Sequence, residues 1–207
     1  MLNSRGFSLI ELMIGIAIMA MIMFVALPAF TQWLQNTQIR NAAESTLTGL
    51  NAARNEAIRH NRPVRFQFVS SLDSTCTVSA SDLANSSSLS WIVSNQDPSG
   101  ACQTALSQTA ALDTGALVVL KERSATEGTA NVQLTSVGGA TVTFSGLGRM
   151  SGAGITQLDF KNKLGTCTWQ DATHGTMRCL RILINSGGQI RMCDPKLSKA
   201  TNPMGCQ

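Results

Sequence analysis

Apolar residues dominate the first part of the chain. From Leu12 to Phe30 no residue is charged, and only Gly15 and Pro28 are not apolar. Residues 7–30 make 24 positions, which at a helical rise of about 1.5 Å per residue cross a hydrocarbon core of about 30 Å. We therefore expect a membrane-spanning helix over residues 7–30, kinked rather than ended by Pro28.

Beyond residue 30 the apolar positions become periodic. In residues 31–60 apolar side chains recur at the spacing of one helix face, and polar side chains fill the other faces. The apolar positions are Ala43, Leu47, Leu50, Ala53, Ala57 and Ile58. Asn61 and Pro63 mark the stop. This pattern predicts an amphipathic continuation of the same helix over residues 31–61, packed on a globular head.

The head, residues 62–207, shows short runs with β-strand character. Val64–Phe68 alternates apolar and polar residues, which predicts a half-buried strand. Further candidate strands are Leu89–Val93, Leu117–Leu120, Val132–Leu134, Ala140–Phe144, Ile155–Phe160, Arg178–Ile184 and Gln189–Met192. Gly138-Gly139 and Ser186–Gly188 predict hairpin turns, and residues 70–115 predict irregular loops. The expected fold class is α+β, a long N-terminal helix packed on an antiparallel β-sheet head.

All six cysteines follow the apolar run, and no two of them form a C-x-x-C pair. An even number in this arrangement predicts disulfides in an oxidising compartment. Many pairings are open, and the simplest joins neighbours in the sequence, as Cys76–Cys102, Cys167–Cys179 and Cys193–Cys206. The alternative is metal ligation, but the spacing does not suit a compact zinc site and the chain has two histidines. We expect no bound metal.

Catalytic motifs are missing from the sequence. It contains no P-loop, no H-E-x-x-H, no Rossmann glycine pattern and no G-x-S-x-G elbow. We therefore expect no enzymatic activity, no catalytic residue and no cofactor.

Two charged residues near the apolar run are informative: one predicts its orientation in the membrane, and the other is a candidate functional residue. Arg5 precedes the run and the next basic residue is Arg40, so the positive-inside rule leaves the N-terminus in the cytoplasm and the head outside. Glu11 lies within the run, where a carboxylate costs about 2.5–3.5 kcal/mol on insertion scales. Such a residue is usually functional and has a partner.

The residues around Glu11 resemble the type IV pilin and pseudopilin family. A short basic leader, Met1–Gly6, ends in glycine, Phe7 follows, and Glu11 is the fifth residue counted from Phe7. The resemblance implies that a prepilin peptidase cuts between Gly6 and Phe7 and methylates the new amine of Phe7. It also implies that Glu11 pairs with the Phe7 amine of a neighbouring subunit, since opposite charges attract strongly in apolar surroundings.

Later strands resemble the minor pilins and pseudopilins that include GspH, FimT and FimU. The matching segments are Val142–Phe144, Gly146–Arg149, Arg178–Ile182 and Gly188–Pro195. This resemblance implies a minor, low-abundance type IV pilin, a structural subunit at or near the pilus tip that helps to initiate assembly. The alternatives are a GspH-like minor pseudopilin of a type II secretion system and a FimT-like DNA-binding minor pilin for natural transformation.

The resemblance also implies a location and partners. The chain would cross the inner membrane once with its head in the periplasm, and then join a pilus at the cell surface. Its partners would be the major pilin and other minor pilins through the N-terminal helix, the prepilin peptidase, and the inner-membrane assembly platform.

Charge is distributed unevenly over the head. Residues 160–207 carry seven Lys and Arg against two acids, whereas residues 66–158 carry three bases against six acids. The basic end is a candidate for contact with DNA phosphates. The residues concerned are Arg178, Arg181, Arg191, Lys196 and Lys199. The alternatives are a solvated edge and a contact with the acidic face of the next subunit. FimT-like relatives have Gly-Arg-x-Arg where this chain has Gly188-Gln189-Ile190-Arg191.

Overall fold

A computed structural model of the protein describes residues 8–78, 89–107, 109, 111–113, 115–126, 131–168 and 175–206. The chain divides into two compact units, Met1–Leu34 and Gln35–Gln207. The division falls inside one continuous helix, α1, which extends over Leu9–His60. Residues 9–60 of the predicted segments 7–30 and 31–61 therefore lie in a single helix of 52 residues.

Helix α1 begins with a reciprocal pair of side-chain hydrogen bonds. The Glu11 N–H donates to the Ser8 hydroxyl oxygen at 3.3 Å, and the Ser8 N–H donates to a Glu11 carboxylate oxygen at 3.2 Å. This capping box satisfies N–H groups that the first turn of a helix leaves without partners. Pro28 lies inside the helix, and the Thr31 hydroxyl donates to the Pro28 carbonyl at 2.9 Å.

Helix α1 ends as the sequence predicts. Asn61 adopts a left-handed conformation with φ of 50°. Its N–H donates to the Ile58 carbonyl, and the Arg62 N–H donates to the Ala57 carbonyl. These two bonds form a Schellman motif, in which asparagine takes the position that glycine usually occupies.

Within the described residues, eight strands form two antiparallel sheets of four strands each. The strands are β1 (Val64–Val69), β2 (Ser90–Ser94), β3 (Val119–Arg123), β4 (Val132–Val137), β5 (Thr141–Phe144), β6 (Gln157–Asn162), β7 (Leu180–Ile184) and β8 (Ile190–Cys193). Sheet 1 has the order β3-β2-β1-β5 and sheet 2 has the order β4-β6-β7-β8. Each strand overlaps one of the eight candidates from the sequence, which confirms the expected α+β class.

The two predicted hairpin turns have different outcomes. Residues 186–188 join β7 to β8, which pair in register from Arg181↔Cys193 to Ile184↔Ile190, so this hairpin is confirmed. Gly138 and Gly139 have positive φ values of 97° and 102°, as a tight turn requires. They do not form a hairpin, however, because β4 and β5 belong to different sheets. The turn instead carries the chain from sheet 2 to sheet 1.

The second part of α1 packs on both sheets. The Trp91 indole N–H of sheet 1 donates to the Ser45 hydroxyl at 3.1 Å, and the Asn162 amide of sheet 2 donates to the Gln38 side chain at 3.1 Å. The buried hydrophobic residues of the helix are Ile39, Ala42, Ala43, Leu50, Ala53 and Ala57. Ile58, predicted to face the core, is 46% exposed.

Strand β1 is buried on both faces, so the half-buried prediction is wrong. Phe66 and Phe68 face the main core, and Gln67 between them is only 1% exposed. β1 lies between β2 and β5 in the interior of sheet 1. A smaller apolar cluster forms away from the main core. It comprises Val69, Cys76, Ile92, Cys102 and Val119.

Candidate assembly helix and basic cleft

The first unit presents apolar side chains in every direction. Leu9 is 79% exposed and Phe24 is 85% exposed. The helix is long and apolar enough to cross a membrane, by length and composition. Between Ser8 and Ile39 the one charged residue is Glu11. Apolar surface on this scale requires lipid or other helices to cover it.

Glu11 has a local partner within its own chain. Among the described residues, the hydrogen bond to its carboxylate comes from the Ser8 N–H. The positive end of the helix dipole also favours a carboxylate in the first turn. One turn further on, a Cβ atom built on Gly15 would meet no atom within 4 Å, so this face of the helix is open beside Glu11. Gly6 and Phe7, the predicted cleavage and methylation positions, lie outside the described residues.

The six cysteines form three disulfides within the second unit. The pairs are Cys76–Cys102, Cys167–Cys179 and Cys193–Cys206, each joining neighbours in the sequence. The first bridge belongs to the small cluster beside sheet 1. The third connects the end of β8 to the end of the chain, where the Asp194 N–H also donates to the Met204 carbonyl. Residues 194–206 therefore form a stapled loop, called here the C-terminal loop.

Two of the five basic candidates are occupied inside the subunit. The Arg178 guanidinium donates to Asp194 at 2.8 Å, and the Asp194 side chain is 6% exposed. The Arg181 guanidinium donates to both carboxylate oxygens of Asp159, at 2.5 and 3.2 Å, and its side chain is 14% exposed. Both arginines pair with carboxylates of their own head, although the Arg178 side chain is 63% exposed, so the five cations do not form one patch of unpaired charge.

Arg191 and Lys199 meet in a cleft, called here the basic cleft. Its volume is about 400 Å³, and it lies beside the β7–β8 hairpin. The lining residues are Thr156, Leu183, Ile184, Asn185, Gln189, Arg191 and Lys199. No carboxylate is among these lining residues. In the part of the chain that the structure describes, neither Arg191 nor Lys199 forms an ion pair. Lys196 is exposed on the same loop but does not line the cleft.

Two exposed aspartates lie near the Cys76–Cys102 bridge, a feature that the sequence reasoning missed. Hydrogen bonds from the Thr75 hydroxyl and N–H and from the Ser71 hydroxyl hold the pKa of Asp73 below its usual value. Partial burial alone would raise the pKa of Asp97, but bonds from Ser99 and the charge of Arg65 outweigh it and lower that pKa.

The two aspartates share a location and a sequence signal. Asp73 and Asp97 are close to one disulfide, since the Cys76 N–H donates to the Asp73 carbonyl and the Cys76 sulfur contacts the Pro98 carbonyl. Each aspartate is followed two residues later by a hydroxyl residue, which is typical of Asx turns and could have revealed the pair. We call this surface the acidic loops.

Comparisons with known proteins agree with this architecture. A family model described as "Type II transport protein GspH" matches residues 42–188, and one described as "Prokaryotic N-terminal methylation motif" matches residues 1–27. The chain is a structural subunit of the pilin and pseudopilin class. It belongs to the GspH family, because that match covers most of its length. Membership implies association with other pilins in a pilus or pseudopilus.

Two solved structures are similar to the chain at low sequence identity. The chain is similar to the type IV minor pilin FimU of Pseudomonas aeruginosa strain PAO1 in two crystal forms. The P21 form gives a TM-score of 0.45 and 13% identity over 84% of this chain and 99% of that chain. The P65 form gives a TM-score of 0.42 and 13% identity over 81% and 99%. No curated protein matches the chain.

Proposed function

We propose that this protein is a minor, low-abundance type IV pilin, a structural subunit at or near the pilus tip that helps to initiate pilus assembly. One observation carries the proposal: the exposed apolar part of α1 has a single carboxylate, Glu11, in its first turn. A helix of this kind can rest in a bilayer and then pass into a bundle of similar helices. GspH-family membership and the N-terminal methylation motif support the same assignment.

Processing prepares the N-terminus for that transfer. A prepilin peptidase cuts between Gly6 and Phe7 and methylates the Phe7 amine, which leaves a positive charge directly before Ser8. In the filament the Glu11 carboxylate receives the Phe7 amine of a neighbouring subunit. The pairing removes the cost of two isolated charges in an apolar bundle and sets the axial position of one helix against the next.

The proposed function includes specific partners and a cellular location for the subunit. The helix contacts the major pilin and other minor pilins, and the inner-membrane assembly platform moves the subunit out of the bilayer. The head lies in the periplasm before assembly and is at the cell surface afterwards. Three disulfides in the second unit support an oxidising compartment for the head.

A minor pseudopilin of a type II secretion system is the second candidate. The match to the family model for a type II transport protein favours it. The helix, Glu11 and the disulfides would serve a secretion pseudopilus in the same way.

A DNA-binding minor pilin is the third candidate. Arg191, Lys196 and Lys199 favour it, because these cations remain without ion pairs in the described part of the chain. Arg178 and Arg181 count against it, because both donate to carboxylates of their own head.

Deletion of the gene tests the three candidates together. The strain is scored for surface pili, twitching motility, secreted enzymes and DNA uptake, with the intact gene restored in a second strain as the control. Loss of pili and twitching with normal secretion supports the minor pilin. Loss of secretion with normal pili identifies a pseudopilin. Normal pili with reduced DNA uptake alone would contradict the main proposal and assign the function to the basic residues.

A further inference from the structure

The fold builds the basic cleft from two parts that Arg191 connects. The β7–β8 hairpin is held by the Gln189 N–H, which donates to the Asn185 side chain at 2.9 Å, and by the Asn185 amide, which donates to the Gln189 side chain at 3.1 Å. The C-terminal loop is stapled to β8 by the Cys193–Cys206 bridge. Arg191 joins these parts, because its guanidinium donates to the Cys206 carbonyl at 3.3 Å.

This construction brings together two cations from different parts of the fold. Arg191 lies on β8, opposite Leu183 of β7, whereas Lys199 lies on the C-terminal loop. A guanidinium, an ammonium and side-chain amides thus converge on one concavity without a carboxylate to neutralise them. The chemistry that fits is a carboxylate, which accepts hydrogen bonds from all of these donors.

Duplex DNA fits the cleft less well than a protruding carboxylate. Phosphate binding along a duplex needs several cations distributed along a surface. Two of the five candidate cations form ion pairs with Asp159 and Asp194 instead. No aromatic side chain is among the lining residues to stack on a base. A concave site with two cations suits one side chain that projects from a loop.

The same head carries a surface of the complementary kind. The acidic loops expose Asp73 and Asp97, and hydrogen bonds favour the ionised form of both carboxylates. The acidic loops belong to sheet 1 and its disulfide, whereas the basic cleft belongs to sheet 2. Because a minor pilin is of low abundance, its neighbour is a different pilin, and the acidic loops illustrate the kind of surface carboxylate that a pilin head can present.

We propose that the basic cleft binds an exposed carboxylate on the head of the adjacent pilin in the filament, with Arg191 and Lys199 as its cationic contacts. The inference rests on the proposed function, because it needs the chain to be assembled beside another pilin head. The contact orients the heads around the bundled helices and adds charge complementarity to the apolar helix contact. Because the cations are at the surface, it weakens as salt rises.

Zero-length cross-linking of intact filaments tests this contact. A carbodiimide couples a lysine amine to a carboxylate that touches it, and mass spectrometry identifies the two peptides. We expect an adduct between Lys199 and an aspartate or glutamate of another pilin. Lys199→Arg keeps the charge but removes the reactive amine, so it should keep the chain in the filament and lose the adduct. Lys196→Arg is the matched control, because Lys196 is on the same loop outside the cleft, and it should leave the adduct unchanged.

The outcomes separate this inference from the proposed function. Filaments that contain the chain but give no Lys199 adduct would overturn the cleft inference alone. Filaments and cell-surface fractions that never contain the chain would overturn the proposed function, and the cleft inference with it. An Arg191→Gln, Lys199→Gln variant that loses retention of a DNA duplex, in filaments without the adduct, would assign the cleft to nucleic acid instead.

Discussion

The two parts of α1 are one helix in two different environments. Over Leu9–Leu34 most residues are apolar and the described side chains are exposed, whereas over Gln35–His60 most of the small and aliphatic residues are buried or partly buried against two sheets. The glycines show the difference most clearly. A Cβ on Gly15 would meet nothing within 4 Å, but a Cβ on Gly49 would lie 2.8 Å from a Phe66 ring carbon. Helix formation is therefore common to both parts, and the covering surface determines what each residue does.

The largest expected effect comes from Glu11→Ala. Removing the carboxylate leaves an apolar helix that should still insert in the membrane, but under the proposed pairing the Phe7 amine of the neighbour would lose its counter-charge in the bundle. We expect the variant to accumulate in the inner membrane and to be lost from sheared filaments, measured by immunoblotting of both fractions.

Glu44→Ala is the matched control for that experiment. Glu44 is also a carboxylate of α1, but it forms an exposed i,i+4 pair with Arg40 at 2.7 Å. Exposed pairs of this kind contribute little to stability because solvent screens them, so incorporation into filaments should be normal. Equal loss of both variants from filaments would contradict a special role for Glu11.

Replacing Cys193 and Cys206 by alanine should have the next largest effect. The bridge closes a loop of 13 residues, and its loss should lower the free energy of unfolding by about 3 kcal/mol. Thermal unfolding of the full chain in detergent measures this as a lower Tm, while membrane insertion of the first unit should be unchanged. An unaltered Tm would show that the C-terminal loop is held by its hydrogen bonds alone.

Gly49→Ala should destabilise the head, and Gly15→Ala should not. The added methyl at residue 49 lies 2.8 Å from Phe66 and 3.0 Å from Trp91, and such overpacking costs about 1–3 kcal/mol. At residue 15 the space is open, and alanine is the better helix former. The two Tm values, measured side by side in detergent, sharpen the comparison. Equal Tm values would contradict the contrast between exposed and buried parts of α1.

The smallest expected effect concerns pH. The pKa of Asp73 is lower in the folded head than in the unfolded chain, so its contribution is present above the unfolded pKa of about 3.9 and is lost as pH falls through the folded value. Asp73→Asn should therefore lower Tm more at neutral pH than in strong acid. Thr75→Val removes the main donor to this carboxylate and should reproduce part of the effect. A Tm difference that is the same at both pH values would contradict the stabilising role of these hydrogen bonds.

Local patterns in the sequence predict most of the elements but not their arrangement. Alternation and turn residues located eight strands, and Asn61 located the end of α1, because these signals depend on adjacent residues. Sheet membership depends on distant pairing, so Gly138-Gly139 resembled a hairpin although its flanking strands enter different sheets. Burial of Gln67 also depends on distant parts of the chain, because both faces of β1 are covered only when the whole head folds.

The candidate sites show the same limit. Glu11 stands out because it is one charge in a long apolar run, and this contrast is visible in the sequence. The engagement of Arg181 is not visible, because its partner Asp159 is 22 residues away and becomes a cross-strand neighbour only when β6 and β7 pair. The distribution of charge in the sequence therefore located the basic end. Only the fold distinguishes the cations that form ion pairs within the head from those that do not.

Arg178 connects parts of the head that are far apart along the chain. Its N–H donates to the Asn36 side chain of α1 at 2.8 Å, while its guanidinium donates to Asp194 in the C-terminal loop. Two hydrogen bonds of one residue thus link α1 to the last segment of the chain, so the fold itself sets the position of the loop that displays Lys199 relative to the helix.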